Sequence, residues 1–141
     1  MVVRTARASW APDSHGGGGN IRAESGALSA EYSLNSRFGA DPGTNPEELL
    51  GAAHAACFNL ALAGALTKAG HPPARLETAA EVGLDKVPGG FRISTIQLIT
   101  VGEVPGIDQK EFEEQAHLVK LGCPVSKALS GTDIFLESKL V

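Results

Sequence analysis

The residues Thr44-Asn-Pro-Glu-Glu-Leu-Leu-Gly-Ala-Ala-His-Ala-Ala-Cys-Phe58 open the longest apolar stretch of this 141-residue chain and predict its central helix. Asn45 can cap the helix, Pro46 suits the first helical position, and the two glutamates that follow favour the positive end of the helix dipole. We predict that the helix runs to about Ala69 and ends at Gly70, because the prolines just beyond forbid its continuation. Since its middle is apolar nearly all round, this helix must be covered on most of its sides.

The rest of the chain reads as short strands and two further helices. Segment 35–43 is predicted to be a loop. Gly16-Gly-Gly-Gly-Asn20 predicts a hairpin turn and not a phosphate loop, because no Lys-Ser/Thr pair follows it. Strands are predicted at 2–10, 20–34, 75–87, 91–104 and 133–141, and helices at 108–121 and 123–129. This order predicts an α+β fold, in which an antiparallel sheet packs on a long buried central helix in a single domain spanning residues 1–141.

Composition and charge exclude several classes of function. The formal net charge is −4, so the chain has no basic surface of the kind that a phosphate backbone requires, and nucleic-acid binding is not expected. The N-terminus lacks the apolar core of a signal peptide. Asn59, Thr67 and Lys68 interrupt the best candidate for a membrane span, so no membrane partner is expected. We therefore predict a cytoplasmic protein, in which two cysteines are catalytic, redox-sensing or simply buried rather than a structural disulfide.

The two cysteines lie in contrasting surroundings. Cys57 lies within the apolar helix, where burial raises a thiol pKa and favours an inert core residue. Cys123 directly precedes a predicted helix start with Pro124 in the first position, and backbone N–H groups there lower a thiol pKa. Local chemistry alone therefore ranks Cys123 as the more acidic thiol, although it equally fits a capping cysteine without a redox role. If the fold brings the two thiols together, they form a redox pair.

Arg37 and Glu47 are candidates for activating a thiolate. Arg37 precedes the central helix, and Glu47 can hold a guanidinium in a fixed fork. The alternatives are a solvated loop arginine and a first-turn carboxylate that the helix dipole favours. Glu47 and Cys57 are ten residues apart, which is about 15 Å along a helix and ~80° around it. If both belong to one site, a second copy of the helix supplies one of them, which points to a homodimer with its active sites at the interface.

Other kinds of site find little support. His54 precedes Cys57 by three residues, so one helix face offers two metal ligands, but no second ligand pair at matching spacing exists. The chain has no CxxC, no HExxH, no nucleophile elbow and no dinucleotide fingerprint. We therefore predict neither a metal site nor a cofactor-binding site.

The motifs around the two cysteines resemble those of the OsmC/Ohr family of organic hydroperoxide reductases. The resemblance rests on the stretch 44–58, on Gly122-Cys-Pro-Val-Ser126, and on the segments 84–87 and 104–108, and it runs from about Leu34 to the C-terminus. The sequences His-Ala-Ala-Cys-Phe and Ser-Arg-Phe resemble the OsmC branch of the family rather than the Ohr branch.

The resemblance implies roles for individual residues. It implies an intertwined homodimer with two active sites at its interface, in which Cys57 is the peroxidatic thiol and Cys123 the resolving thiol. This assignment overrules the local ranking of the two thiols. Arg37 matches the family's arginine, with Arg22 nearby as the alternative, and Glu47 matches its glutamate.

The function implied is a thiol-dependent peroxidase. Such an enzyme reduces organic hydroperoxides to alcohols through an intramolecular disulfide, in response to osmotic or oxidative stress. It needs an external dithiol reductant, and it needs no metal, flavin or haem. An apolar lining favours organic hydroperoxides over hydrogen peroxide, because the organic group gains burial. Two alternatives remain: a small-molecule-binding or dimerisation module with structural thiols, and a redox sensor that oxidises once and turns over poorly.

Overall fold

A computed structural model describes all 141 residues and contains six strands and four helices. The elements in chain order are β1 (Ala6–Ala8), β2 (Gly18–Ala23), β3 (Ser29–Ser33), α1 (Leu34–Phe38), α2 (Pro46–Lys68), β4 (Arg75–Val87), β5 (Gly90–Glu103), α3 (Gln109–Gly122), α4 (Pro124–Ala128) and β6 (Asp133–Leu140). The predicted α+β class is confirmed. The chain divides into two units, residues 1–49 and residues 50–141.

The first unit holds an antiparallel sheet of three strands in the order β1-β2-β3. The predicted turn at 16–20 is wrong in its position, because Gly18–Asn20 already belong to β2. The chain reverses just before β2, at residues 14–16, where the Asp13 carboxylate accepts hydrogen bonds from the N–H groups of His15 and Gly16. A side chain at Gly19 would collide with the Ser9 carbonyl oxygen, 1.8 Å from the position of its Cβ. The glycine run therefore allows two backbones to approach closely.

The first four residues of the predicted loop 35–43, together with Leu34, form the short helix α1 (Leu34–Phe38). Ser33 and Ser36 cap it reciprocally: the Ser33 hydroxyl accepts from the Ser36 N–H at 3.0 Å, and the Ser36 hydroxyl accepts from the Ser33 N–H at 2.8 Å. The Ser36 hydroxyl also lies 2.8 Å from the Thr44 carbonyl oxygen, to which it donates. The loop prediction failed because this capping box uses serine where glutamate or glutamine is usual.

The start of α2 is confirmed in detail. Pro46 is its first residue, and the Asn45 side-chain oxygen accepts from the Glu48 N–H at 2.8 Å. Glu48 in turn accepts a hydrogen bond from the Thr44 hydroxyl at 2.7 Å. Local chemistry within residues 44–48 therefore fixes where the helix begins.

The second unit holds a sheet of three strands in the order β4-β5-β6. Strands β4 and β5 form the predicted antiparallel hairpin, whose turn contains Pro88 and Gly89, with Gly89 at a φ of 88°. Strand β6 lies parallel to β5, so the second sheet departs from the predicted antiparallel pairing at this one strand. A parallel neighbour needs a long crossover, and helices α3 and α4 supply it.

One face of α2 forms the centre of the core. Phe58, Leu62 and Leu66 follow one another at helical spacing and are fully buried. They cluster with side chains of β5 and of α3, which are Ile96, Leu98, Phe112, Ala116 and Val119. Asn59 ties this helix to the sheet, because its side-chain oxygen lies 2.6 Å from the Thr78 hydroxyl.

The remaining surface of α2 is open in the single chain. Leu60 is 78% exposed, and its neighbours along the helix, Ala52, Ala53 and Ala56, are exposed as well. By length and composition alone the helix could cross a membrane, and only 28% of its most apolar window is buried. The predicted burial of the central helix therefore holds for one face, and the opposite face is an uncovered apolar surface.

The contact of Gly102 with the core gives a test of this packing. A Cβ at Gly102 would lie 2.6 Å from the ring of the fully buried Phe112, so we expect Gly102→Ala to destabilise the fold by about 1–3 kcal/mol. Gly122→Ala is the matched control, because no atom lies within 4 Å of its Cβ position. Urea denaturation measures both variants, and equal free energies of unfolding would contradict the packing described.

Candidate active site

The structure brings the two cysteines into contact. Cys57 lies on α2 and is partly exposed, whereas Cys123 lies between α3 and α4 and is 1% exposed. Both are free thiols, and they lie close enough together that each shifts the pKa of the other. Two residues that are far apart in the chain therefore meet in the second unit, next to its hydrophobic core.

Local backbone chemistry places Cys123. Its N–H donates to the Val119 carbonyl oxygen at 2.9 Å and so closes α3. Its backbone is extended, and Pro124 occupies the first position of α4, as predicted. The sulfur caps that helix by accepting the Ser126 N–H at 3.4 Å. A cysteine at this position is therefore held by both helices that it joins.

The surroundings shift the two thiols in opposite directions. Burial raises the pKa of the Cys57 thiol, and the neighbouring Cys123 adds to that rise, while the Val125 N–H opposes it. Burial also acts to raise the pKa of Cys123, but hydrogen bonds from Ser126, Cys57 and Val125 outweigh it, so the pKa of Cys123 is lowered. Within this pair the proton therefore resides preferentially on Cys57, in agreement with the ranking from local sequence.

Two residues absent from the sequence-based site extend this pair. The Ser126 hydroxyl lies 3.4 Å from the Cys123 sulfur, and on its other side it lies 2.7 Å from Nε2 of His54. His54 is fully buried, and its Nδ1 has no hydrogen-bond partner. The one sign of this arrangement in the sequence is a histidine within an apolar helix, since a buried histidine needs a polar partner. The partner itself lies 72 residues away.

Arg37 and Glu47 form an ion pair in the first unit. Nη2 and Nε of Arg37 donate to the two carboxylate oxygens of Glu47 at 2.5 and 3.1 Å, so the pair is bidentate. The glutamate side chain is 11% exposed and the arginine 31%. The guanidinium also lies 5.2 Å from the centre of the Phe38 ring. Glu47 therefore holds the guanidinium in the fixed fork predicted from sequence.

The structure contains two groups that thiol redox chemistry uses: a pair of neighbouring thiols and an oriented guanidinium. The thiol pair lies in residues 50–141 and the oriented guanidinium in residues 1–49. Within residues 50–141 no cationic side chain contributes to the pKa shift of either thiol. His54 pairs with Ser126 rather than with Cys57, and no group of three potential metal ligands occurs.

Comparison with known proteins places these features in a family. The model of the OsmC-like protein family matches residues 39–138. Peroxiredoxin OsmC of Escherichia coli is 45% identical over 140 residues, which cover 99% of this chain and 97% of that protein. An organic hydroperoxide resistance protein of Xanthomonas axonopodis pv. citri is 37% identical over 111 residues, or 74% of each chain. The crystal structure of the organic hydroperoxide resistance protein OhrB of Bacillus subtilis superposes with a TM-score of 0.73 and 27% identity, covering 97% of this chain and 98% of that one.

Proposed function

Because this chain belongs to the OsmC-like protein family, we propose that it is a thiol-dependent peroxidase that reduces organic hydroperoxides to alcohols. The observation that carries the proposal is the contact between Cys57 and Cys123, since a disulfide can form only between thiols whose backbones lie close together. Relatives named for peroxiredoxin activity and for resistance to organic hydroperoxides support the substrate class. The expected location of the enzyme is the cytoplasm.

Accessibility supports Cys57 as the thiol that meets the substrate. Cys57 is partly exposed, whereas Cys123 is almost completely buried beneath it. A hydroperoxide molecule therefore reaches the Cys57 sulfur first, although Cys123 is the more acidic of the two. Reactivity at Cys57 then requires a cation that favours its thiolate.

The proposed reaction proceeds in three steps. The Cys57 thiolate attacks the distal oxygen of the hydroperoxide, the O–O bond breaks, and the alkoxide leaves and takes a proton to become the alcohol. The resulting sulfenic acid reacts with the Cys123 thiolate, which forms the disulfide and releases hydroxide, protonated to water. An external dithiol then reduces the disulfide and is itself oxidised to a disulfide.

We assign the missing cation to Arg37 of a second copy of the chain. Glu47 lies ten residues before Cys57 on α2, about 15 Å along the helix axis, so the ion pair and the thiol of one helix are too far apart to form one compact site. A homodimer removes this difficulty, because the ion pair of one copy can complete the thiol pair of the other. The guanidinium then stabilises negative charge on sulfur and on the departing oxygen.

The uncovered face of α2 supports the same dimer. Leu60 and the exposed alanines beside it form an apolar surface on a helix of 23 residues. The opposite face already packs on the sheet of its own unit, so a second copy of the chain is the partner that both covers this surface and supplies the guanidinium.

Replacement of Arg37 tests its role in activation. We expect Arg37→Gln to slow the oxidation of Cys57 by about 10²-fold, because it removes a charge that acts on both the thiolate and the transition state. Stopped-flow measurement of the first oxidation with cumene hydroperoxide gives this rate. Arg22→Gln is the matched control, since Arg22 is an exposed arginine on β2. If the control loses the activity and Arg37→Gln keeps it, the assignment of the arginine is wrong.

Substitution on the open face of α2 tests the dimer. We expect Leu60→Arg to convert the dimer to a monomer and to abolish turnover, because a charge would be buried in an apolar interface. Leu118→Arg is the control, since Leu118 is a similarly exposed leucine, on α3. Sedimentation velocity measures both masses. A monomeric wild-type chain, or a dimer that survives Leu60→Arg, would contradict the proposed assembly.

Thiol counting distinguishes the peroxidase from its alternatives. One equivalent of cumene hydroperoxide should remove both free thiols of each chain, and excess dithiol should then sustain many cycles of substrate consumption. A module with structural thiols would keep both thiols under the same treatment. A redox sensor would lose them once and then turn over poorly with the same dithiol. Survival of both thiols refutes the proposed function.

A further inference from the structure

We propose that His54 and Ser126 are positioning residues that act in series to hold Cys123 as a thiolate, both for resolution and as the leaving group when the disulfide is reduced. This inference rests on the proposed function, and it concerns residues that take no part in the peroxide chemistry itself. It starts from the hydrogen-bonded row of His54, Ser126 and Cys123, which ends beside Cys57, all within residues 50–141.

The direction of these hydrogen bonds follows from Nδ1 of His54, which is buried and has no hydrogen-bond partner. Burial lowers the pKa of His54, so the ring is neutral at neutral pH and carries one N–H. A proton on Nδ1 would leave a buried donor unpaired, because Nδ1 has no partner. A proton on Nε2 donates to Ser126 at 2.7 Å and leaves only an unpaired acceptor, which costs less. Hydrogen bonding therefore assigns the proton to Nε2.

This assignment determines what Ser126 does. Its hydroxyl oxygen accepts from His54, so its own proton is directed to the Cys123 sulfur at 3.4 Å. The Ser126 N–H donates to the same sulfur, also at 3.4 Å. One serine thus gives Cys123 two donors, and a histidine polarises one of them. Such a sulfur is arranged to accept hydrogen bonds, which favours the anion over the thiol.

The same hydrogen bonds assist two steps of the cycle. In resolution the Cys123 thiolate attacks the Cys57 sulfenic acid, the new S–S bond forms, and hydroxide leaves. In reduction the thiolate of an external dithiol attacks the Cys57 sulfur, and the electron pair of the S–S bond leaves with Cys123. The second thiol of the reductant then releases Cys57 from the mixed disulfide. The more stable thiolate leaves faster, and Cys57 is the more exposed sulfur, so both properties direct the reductant to Cys57.

A thiol titration without peroxide tests the relay directly. In a Cys57→Ala background Cys123 is the only thiol, and the ultraviolet absorbance of its thiolate gives the titration midpoint. We expect Ser126→Ala to raise this midpoint by about one pH unit, the equivalent of one hydrogen bond to a charged group. His54→Leu should raise it by less, and His54→Gln, whose amide N–H can replace the Nε2–H, should restore it.

The double variant distinguishes a relay from two separate effects. If His54 acts only through Ser126, adding His54→Leu to Ser126→Ala leaves the midpoint where Ser126→Ala alone puts it. Additive shifts, no shift with His54→Leu, or no shift with Ser126→Ala would each overturn the proposal. If Ser126→Ala does not fold, the comparison of His54→Leu with His54→Gln tests the relay alone. Since no step uses peroxide, failure of the peroxidase role leaves these results unchanged.

Kinetics of the two-cysteine chain test the consequence for resolution. At a pH well below the Cys123 pKa, Ser126→Ala lowers the thiolate fraction of Cys123 about tenfold while its intrinsic nucleophilicity rises about threefold, so disulfide formation there slows by about threefold. At high pH, where Cys123 is ionised in both proteins, the variant should become the faster one. Crossing pH profiles support the relay. A deficit that is constant at every pH indicates misplacement of the sulfur and contradicts it.

Discussion

Replacement of Cys57 by serine is expected to abolish hydroperoxide turnover, with a loss on the order of 10³-fold or more, because it removes the sulfur proposed to accept the peroxide oxygen. A serine hydroxyl has nearly the same size as the thiol, but it is far less ionised at neutral pH and is not oxidised by hydroperoxides. The rate of substrate consumption with excess dithiol measures the loss.

The folded state and the second thiol provide the controls for this variant. Circular dichroism and the titration of the remaining thiol should show an unchanged fold with Cys123 intact. Turnover that persists in Cys57→Ser and disappears in Cys123→Ser would reverse the two roles. That outcome would favour acidity over exposure as the property that decides which thiol reacts first.

Replacement of Cys123 by serine is expected to separate oxidation from resolution. The first oxidation of Cys57 should remain fast, since the substitution leaves Cys57 and the proposed Arg37 guanidinium unchanged. The sulfenic acid then has no thiol partner, so turnover stalls and excess hydroperoxide drives Cys57 to the sulfinic acid, which an ordinary dithiol does not reduce. Stopped-flow traces should show one rapid phase and no steady state, and intact mass should show added oxygen atoms.

The decisive comparison is between the turnover rates of Cys123→Ser and wild-type protein with the same dithiol reductant. A Cys123→Ser chain that cycles with the dithiol at the wild-type rate would contradict the resolving role, because the external thiol would then reduce the sulfenic acid directly. Wild-type protein treated with the same excess of hydroperoxide should resist over-oxidation, since the disulfide protects its sulfur.

The sequence predicts those elements whose ends depend on neighbouring residues. The start of α2 is correct to the residue, because Asn45 and Pro46 fix it by capping and by a preset backbone angle. The hairpin of β4 and β5 is correct as well, since alternating apolar residues surround a Pro-Gly turn. The cap at Cys123 also follows from its neighbours, and so does its lowered pKa.

Features that depend on residues far apart in the chain could not be predicted from neighbouring residues. The parallel pairing of β6 with β5 is set by the course of two intervening helices, and the alternation within β6 carries no sign of direction. The hydrogen bond between His54 and Ser126 joins residues 72 positions apart. The residues alone predict a redox pair only if the fold brings the two cysteines together. The roles of Cys57 and Cys123 came from the family resemblance.

The most direct test of the account is the identity of the bond that forms when the reduced protein meets one equivalent of organic hydroperoxide. Peptide mass mapping without reductant should recover the segments around Cys57 and Cys123 joined by a disulfide within one chain, with the loss of two hydrogen atoms. Recovery of both segments as free thiols, or of disulfides that join two different chains, would contradict the central claim.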